Sequence, residues 1–430
     1  MAKKAEIIGY NAQHEVIYRK EGNILSIAIN KLNSDVLQLI TGMRPDDEDE
    51  LNGLKEVIIE KCNARGLVYE DKVLKEGIWR KGEEFLLISK NTALLVSEEV
   101  QFKEYKAPIY HGNIIDLKNS SDWHDKEHLL KCYENIRLSE AFSKVHATCD
   151  KFNWKYAESS EYMTALLMLS PFQSCLSWLP WVYLTSASGC GKSTFLQDFF
   201  SNLYPGLLNH LDKTTAHAIA QEIGNTGRIP VLDEFEKNRR IPEILELAKI
   251  ANRGGYKTSG TPGAMSMRYK LKHMFFFASI YKNLHDEAQL NRAYVFELER
   301  FKKTGKFSLP NALELKKTGT ESIAAILKYW NQIEARSQTI KNRYPDLDAR
   351  MKDTLKYPIA ILELVEEEQT GNKITKEPPV FAYVSPEREE ERIIDDILSS
   401  DIWLHTDTTT KTNVFEALLN FSTCKTALND

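Results

Sequence analysis

The sequence predicts an α/β protein built on a parallel sheet, and three observations carry that expectation. An apolar run, Trp181-Val182-Tyr183-Leu184, leads through a glycine-rich turn into the helical-looking Phe195-Leu196-Gln197-Asp198-Phe199-Phe200. A second run, Ile229-Pro230-Val231-Leu232, ends in Asp233-Glu234 about 40 residues after Lys192. A third, His273-Met274-Phe275-Phe276-Phe277-Ala278-Ser279-Ile280, is too apolar to be anything but a central strand. Between about 161 and 300 such runs alternate with helical and turn-rich stretches, as successive βα units do.

At 430 residues the chain exceeds one average domain. With 42% apolar and 27% charged residues it has the composition of an ordinary soluble globular protein. A net charge of −5 excludes a generally polybasic protein, so any nucleic-acid contact must come from local concentration of charge. The six cysteines are scattered without a C-x-x-C pair, which fits reduced thiols in a cytoplasmic protein better than a disulfide framework or zinc site. The start, Met-Ala-Lys-Lys-Ala-Glu, does not read as a signal peptide. The most apolar stretch, Tyr162–Leu179, contains Pro171, Gln173 and three serines and reads as a buried helix, so no membrane contact is expected.

Residues 1–118 read as a separate N-terminal α/β domain of unassigned role. Its strands are expected at Glu15–Tyr18, Ile24–Ile29, Phe85–Ile88 and Ala93–Val96, and a helix at Leu51–Arg65 closed by Gly66. The acidic Asp46–Glu50 reads as a solvated loop, and His14 and His111 as structural or exposed. Residues 119–160 read as a helical connector (Asp125–Ala147), 161–300 as the core and 301–370 as a helical lid region. There Ile323, Ile326, Leu327 and Trp330 fall at helical spacing. Residues 371–430 read as a small C-terminal module or tail, opening with a linker (Lys376–Pro379) and continuing with helical patterns at Glu387–Ser399 and Asn413–Asn420.

The turn Ser186-Ala187-Ser188-Gly189-Cys190-Gly191-Lys192-Ser193-Thr194 has the strand–turn–helix setting of a P-loop. Backbone N–H groups of such a turn wrap phosphates, helped by the positive end of the helix that follows. Lys192 would reach the β- and γ-phosphates of ATP, and Ser193 would ligate Mg²⁺. Asp233 would join the Mg²⁺ shell, and Glu234 would orient and deprotonate the attacking water. A bland reading also exists, in which the turn is a glycine-rich helix start with an exposed lysine.

From Leu247 to His285 there is no Asp or Glu, but there are seven cations: Lys249, Arg253, Lys257, Arg268, Lys270, Lys272 and Lys282. Glycines and Pro262 at its centre, between strand-capable runs, predict a hairpin. Cations and hydroxyls on it (Lys257, Thr258, Ser259, Arg268, Lys270) suit a nucleic-acid backbone. A solvated basic loop, or cations aimed at a neighbour's nucleotide, is the competing reading. Ser279 ends the central strand where it can sense the γ-phosphate. Arg292, at the start of Ala293–Leu298, is placed as an arginine finger or, more simply, as an ion-pair partner of Asp286 or Glu287.

Gly260-Thr261-Pro262-Gly263, Phe275–Ile280, Asn291–Leu298 and Leu179–Thr185 together resemble the helicase module of prophage and mobile-element replication proteins. These are AAA+ ATPases close to superfamily-3 and minichromosome-maintenance-type helicases. The similarity covers roughly residues 150–300, and Gly77-Ile78-Trp79 weakly resembles the region before that module. The resemblance implies a P-loop NTPase core, a hexameric ring, and a hairpin that grips single-stranded DNA through Lys257 and Arg268. It also implies sensor duty for Ser279 and a finger acting in trans for Arg292. Two departures are Ser186 in place of the opening glycine and the lack of a recognisable primase domain. The expected function is therefore an ATP-dependent, ring-forming DNA helicase acting on single-stranded or forked DNA, with replication proteins as possible partners. An ATPase switch that remodels a protein partner, such as a loader or defence protein, is the alternative, and a small-molecule kinase is a distant third.

Overall fold

The computed structural model describes residues 5–11, 14–20, 23–68, 72–97, 102–118, 120–212, 214–260, 266–284, 286–300 and 307–379, plus the paired strands Asp401–Trp403 and Lys411–Asn413. Glu387–Ser399, 414–420 and the motif residues Thr261, Pro262 and Gly263 lie outside the described residues.

The chain opens with an antiparallel meander, β1 (Glu6–Tyr10), β2 (Glu15–Lys20) and β3 (Asn23–Ala28), covered by α1 (Ser34–Thr41) and α2 (Glu48–Arg65). Val16, Leu37, Ile40, Ile58 and Cys62 fill the space between them. The acidic stretch expected as a loop is instead a helix start. Asp47 caps α2 by accepting from the Glu50 N–H, and Glu48, Asp49 and Glu50 form the first turn. Carboxylates are favourable there because they face the positive end of the helix.

Next come β4 (Val73–Leu74), β5 (Gly77–Lys81), β6 (Glu84–Ser89), β7 (Thr92–Val96), β8 (Lys103–Glu104), β9 (Ile109–Tyr110) and β10 (Asn113–Ile115). β5–β8 form one antiparallel sheet, and β4, β10 and β9 form another. The first of these sheets shares its buried face with the rest of the chain. Ile78, Phe85, Leu87, Leu94 and Val96 belong to the largest core cluster, with the Phe85 ring edge-on to Trp330 at 5.5 Å. Glu76 pairs with Arg228, and its carbonyl accepts from Gly227 N–H at 2.6 Å.

The expected connector helix is two helices, α3 (Lys126–Cys132) and α4 (Leu138–Cys149). α5 (Ser159–Leu169) is buried at every position except Glu161, as its apolar run requires. The central sheet follows: β11 (Trp181–Thr185), α6, β12 (Leu208–His210), α7 (Ala216–Ile223), β13 (Ile229–Leu232), α8 (Ile241–Ala251), β14 (Tyr256–Gly260), β15 (Ser266–Lys270), β16 (Phe276–Ser279), α9 (Glu287–Leu290) and β17 (Ala293–Glu297). α6 begins as a wide π-type coil over Thr194–Phe200 and ends in an α-turn, Ser201–Leu203. Five strands pair in the order β12-β13-β16-β11-β17, all parallel. Between them, β14 and β15 form a separate antiparallel hairpin.

Side chains alternate across the sheet, so each strand feeds two cores. Val182, Leu184, Phe276, Tyr294 and Phe296 face α4, α5, α6, α10 (Ala312–Lys341) and α11 (Ala349–Thr370). Trp181, Tyr183, Leu232, Phe275 and Phe277 face α7 and α8. The helix pair read as a lid thus packs within the first layer. Gly319 lets α10 cross the end of α6, because a Cβ there would lie 1.9 Å from the Leu203 carbonyl oxygen. No described helix is long and apolar enough to cross a membrane.

The order of strands fixes where a ligand can sit. From β11 the chain leaves for the far edge at β12, works back to β16, and then crosses to β17 on the other side. The crevice beyond the carboxyl end of β11 is therefore a topological switch point, the usual ligand position in open α/β sheets.

Candidate functional site

The glycine-rich turn starts at that crevice. Ser186 N–H donates to the Ser279 carbonyl at 3.4 Å, tying the turn to the adjacent strand end. Gly189 and Gly191 have φ of 79° and 97°, values that suit only glycine well. Ser186 is outside the positive-φ set, so serine replaces the consensus glycine without backbone strain. Its carbonyl and Oγ accept from Lys192 Nζ at 2.6 and 2.9 Å, and the Ala187 carbonyl accepts at 3.3 Å. Lys192 is thereby held across the turn. Burial lowers its pKa, while the charges of Glu236 and then Asp233 act in the opposite direction. Cys190 points the other way, into the core, and is 2% exposed.

The carboxylates arrive on β13. Ser193 Oγ donates to Asp233 Oδ2 at 3.0 Å, joining positions 40 residues apart in sequence. Asp233 Oδ1 accepts from Glu234 N–H at 2.9 Å, and its own N–H donates to Asp212 Oδ1 at 3.3 Å. Among the described residues no cluster of three or more His, Cys, Asp or Glu could hold a metal by itself. A hydroxyl and a carboxylate side by side do suit Mg²⁺, which takes few protein ligands and completes its shell with phosphate and water.

Glu234 sits at φ 49°, ψ 40°, a left-handed conformation that costs a non-glycine residue about 1–3 kcal/mol. Its carboxylate is bound by Lys237 Nζ at 2.6 Å, out in solvent. Glu236 was not singled out in the sequence, yet it reaches the site. Its Oε2 accepts from Ile280 N–H at 3.2 Å, and its charge is the largest one favouring protonated Lys192. The 3-10 turn Phe235–Lys237 brings it back to the sheet edge. The signal that could have found it is a third carboxylate two positions beyond Glu234.

Ser279 is at the crevice and fully buried. Its hydroxyl donates to the Tyr281 carbonyl at 2.5 Å and accepts from Asn283 Nδ2 at 3.2 Å. Its backbone carbonyl accepts from the glycine turn, and Asn283, which composition and spacing did not single out for the site, shares the polar cluster around its hydroxyl.

Arg292 is elsewhere. It precedes Ala293, which pairs with Trp181 at the amino end of the sheet, whereas Thr185 pairs with Glu297 at the carboxyl end. Four strand steps of about 3.3 Å separate the two levels. Arg292 as a whole is 6% exposed, and its guanidinium lies over the Trp178 ring at 5.8 Å and donates to the Ala288 carbonyl. Burial lowers its pKa, as do the nearby charges of Arg350 and Arg253. It therefore does not serve the turn of its own chain.

The hairpin forms with Tyr256 opposite Lys270, Thr258 opposite Arg268 and Lys257 opposite Tyr269. Residues opposite each other share a face. Arg268 and Lys270 thus lie with Tyr256 and Thr258, while Lys257 lies on the other face with the buried Tyr269. The three cations expected as one surface are divided two to one. The face bearing Arg268 gains an aromatic ring that charge counting missed: Tyr256 is 41% exposed, and the Arg268 guanidinium stacks on it at 4.4 Å.

No protein-family model matches the chain, and no curated protein matches it. Among solved structures it is similar to one described as an active helicase, Cch of SCCmec type IV. The two share 12% identity and a TM-score of 0.45 over 93% of this chain and 76% of the other. It is also similar to apo forms of the C-terminal region of NrS-1. One is 13% identical with a TM-score of 0.39, over 93% of this chain and 94% of that one. The other is 12% identical with a TM-score of 0.41, over 86% and 88%. Likeness this distant leaves fold and function to be read from the chain's own residues.

Proposed function

We propose that the chain is an ATP hydrolase that unwinds or translocates on DNA, works as a ring, and serves replication of a mobile genetic element. The observation that carries the nucleotide assignment is the Ser193–Asp233 hydrogen bond beside Lys192, at the switch point of the sheet. In this reading Lys192 exchanges the Ser186 and Ala187 carbonyls for the β- and γ-phosphates of ATP, and the N–H groups of Gly189–Thr194 wrap the chain of phosphates. A magnesium ion held by Ser193 and Asp233 would supply neutralisation of phosphate charge. Glu234 orients water and accepts its proton once released from Lys237, and the charge of Glu236 favours the protonated form of Lys192.

The exposed pair Tyr256–Arg268, with Lys270 beside it, supports the DNA assignment. An aromatic ring offers a base its face, and cations track the backbone. The ring, its six-fold size and the mobile-element setting rest on the resemblance of residues 150–300 to replication helicases. In a ring, the edge bearing Arg292, Arg253 and Arg350 would be presented to a neighbour's turn.

The test is steady-state ATP hydrolysis with Mg²⁺, with and without single-stranded DNA, alongside strand separation of a forked duplex. Hydrolysis raised by DNA together with ATP-dependent unwinding is the expected result. Hydrolysis indifferent to DNA, with no unwinding, would overturn the helicase reading in favour of a switch acting on protein.

A further inference from the structure

We propose that Asn225 is a positioning residue for the DNA-binding face of the hairpin, and that the corner between β4 and β5 holds it in place. The proposal deepens, and rests on, the reading of the hairpin as a surface for single-stranded DNA. Asn225 follows Gly224 at the end of α7 and has a φ of 60°. Asparagine is one of the few residues with a side chain that enter this left-handed region readily. The residue is uncharged and 7% exposed, so it offers a DNA strand almost no surface of its own.

Two hydrogen bonds join Asn225 to a single residue of the hairpin. Its N–H donates to the Lys270 carbonyl at 3.1 Å, and its Oδ1 accepts from the Lys270 N–H at 3.3 Å. Both polar groups of the Lys270 backbone are thereby held from outside the hairpin. The chain beyond is held in the same way. Leu271 N–H donates to the Gly255 carbonyl at 2.9 Å, and His273 accepts from Lys272 N–H at Nδ1 and donates from Nε2 to the Thr226 carbonyl, each at 3.0 Å. On the back of the hairpin, Tyr269 joins the core cluster of Ile219, Ala220 and Ile223 on α7. Gly224 makes room for it, since a Cβ there would lie 3.0 Å from the Tyr269 ring. The back is thus closed against α7, and the face bearing Tyr256, Arg268 and Lys270 is the one left for a ligand.

The loop that makes these bonds is itself held from the other side. The Asn225 carbonyl accepts from Lys75 N–H at 3.2 Å, and Gly227 N–H donates to the Glu76 carbonyl at 2.6 Å. Gly77 and Gly227 meet backbone to backbone, because a Cβ on Gly227 would lie 2.6 Å from the Gly77 Cα. Residues 75–77 and the hairpin therefore grip the same short loop. Single-strand affinity comes largely from cations in contact with phosphates. A Lys270 whose backbone is released keeps its charge but loses its place, so this grip gives the N-terminal region a part in the DNA site.

The test uses the full chain, its Asn225→Gly variant and a fluorescein-labelled oligothymidylate, with anisotropy followed across a range of salt concentrations and melting curves for both proteins. Glycine adopts the left-handed φ readily and removes Oδ1. Affinity should fall about 3- to 10-fold, and the log–log salt slope should flatten by about 0.7, the value for one phosphate contact on a single strand. Lys270→Ala should flatten it equally. Asn225 carries no charge, so a changed slope reports a displaced cation, which a loss of stability alone would not produce. In DNA-stimulated hydrolysis the oligothymidylate concentration at half-maximal rate should rise by the same factor, with the rate at saturation kept. Hydrogen exchange on the unliganded parent does not depend on the variant folding, and there the Lys270 amide should be protected without DNA. If the folded variant keeps the parent's affinity and slope, or if the Lys270 amide exchanges as fast as an open loop, the positioning role is overturned and the helicase reading stands. If the parent does not bind the oligothymidylate, the helicase reading fails and the proposal with it.

Discussion

The two ends of the central sheet put cations to opposite uses. At the carboxyl end, Lys192 spans a turn of small residues and holds only backbone carbonyls and a hydroxyl, contacts that a phosphate can replace. At the amino end, Arg292 is enclosed by Trp178 and the Ala288 carbonyl and has Arg253 and Arg350 for neighbours. Both cations are partly desolvated, but only Lys192 has carboxylates, Glu236 and Asp233, as principal charged neighbours. A basic residue near a strand end is therefore not evidence of a site in its own chain. What distinguishes a site is which end of the strand it occupies and what holds its charge when no ligand is bound.

The sharpest way to break this contrast is Arg292→Ala. If Arg292 completes a neighbour's site, hydrolysis should fall by about 10³–10⁵ while ATP binding persists. Mixing that variant with Glu234→Gln under ring-forming conditions should then restore part of the rate. The account predicts this recovery. A lowered melting temperature with no recovery would make Arg292 a packing residue of its own chain.

The next largest effect separates the two glutamates. Glu234→Gln should bind ATP and lose about 10²–10⁴ in turnover, the usual weight of a positioned base. Glu236→Gln should be milder and show mainly as weaker nucleotide binding, since Glu236 acts through Lys192. The reverse ranking in single-turnover assays would exchange their roles and make the Lys237-bound carboxylate a bystander.

The smallest effects compare the faces of the hairpin. Tyr256→Ala and Arg268→Ala should each cost about 1–3 kcal/mol of single-stranded DNA affinity, the range for a stacking platform. Lys257→Ala should cost less, because Lys257 shares its face with buried Tyr269. Equal losses at Lys257 and Arg268, measured by titration at one fixed salt concentration, would mean that DNA contacts both faces.

Much of this arrangement was legible in the sequence, for a physical reason. β11, β13 and β16 are buried on both faces, so they appear as apolar runs that need no periodicity to recognise. The hairpin was legible from its glycines and its missing carboxylates. Three-residue β12 was not, since so short a strand is fixed by its neighbour β13 rather than by its own composition. The cap role of Asp47 was hidden because a capping carboxylate and a solvated one look alike until the helix start is placed. At the site, the turn and Asp233 follow from spacing. The retreat of Glu234 to Lys237, the approach of Glu236 and the division of Lys257 from Arg268 depend on backbone angles and strand register. No residue list carries those.

The central claim is that Lys192 and the turn around it bind ATP at the carboxyl end of β11. The direct measurement is equilibrium titration of a fluorescent ATP analogue with Mg²⁺ into the parent protein and into Lys192→Ala, with melting curves to show that both are folded. The account predicts saturable binding by the parent and a loss of about 2–5 kcal/mol in the variant, the range for removing one partner of a desolvated charge pair. Equal affinity in two folded proteins would contradict it.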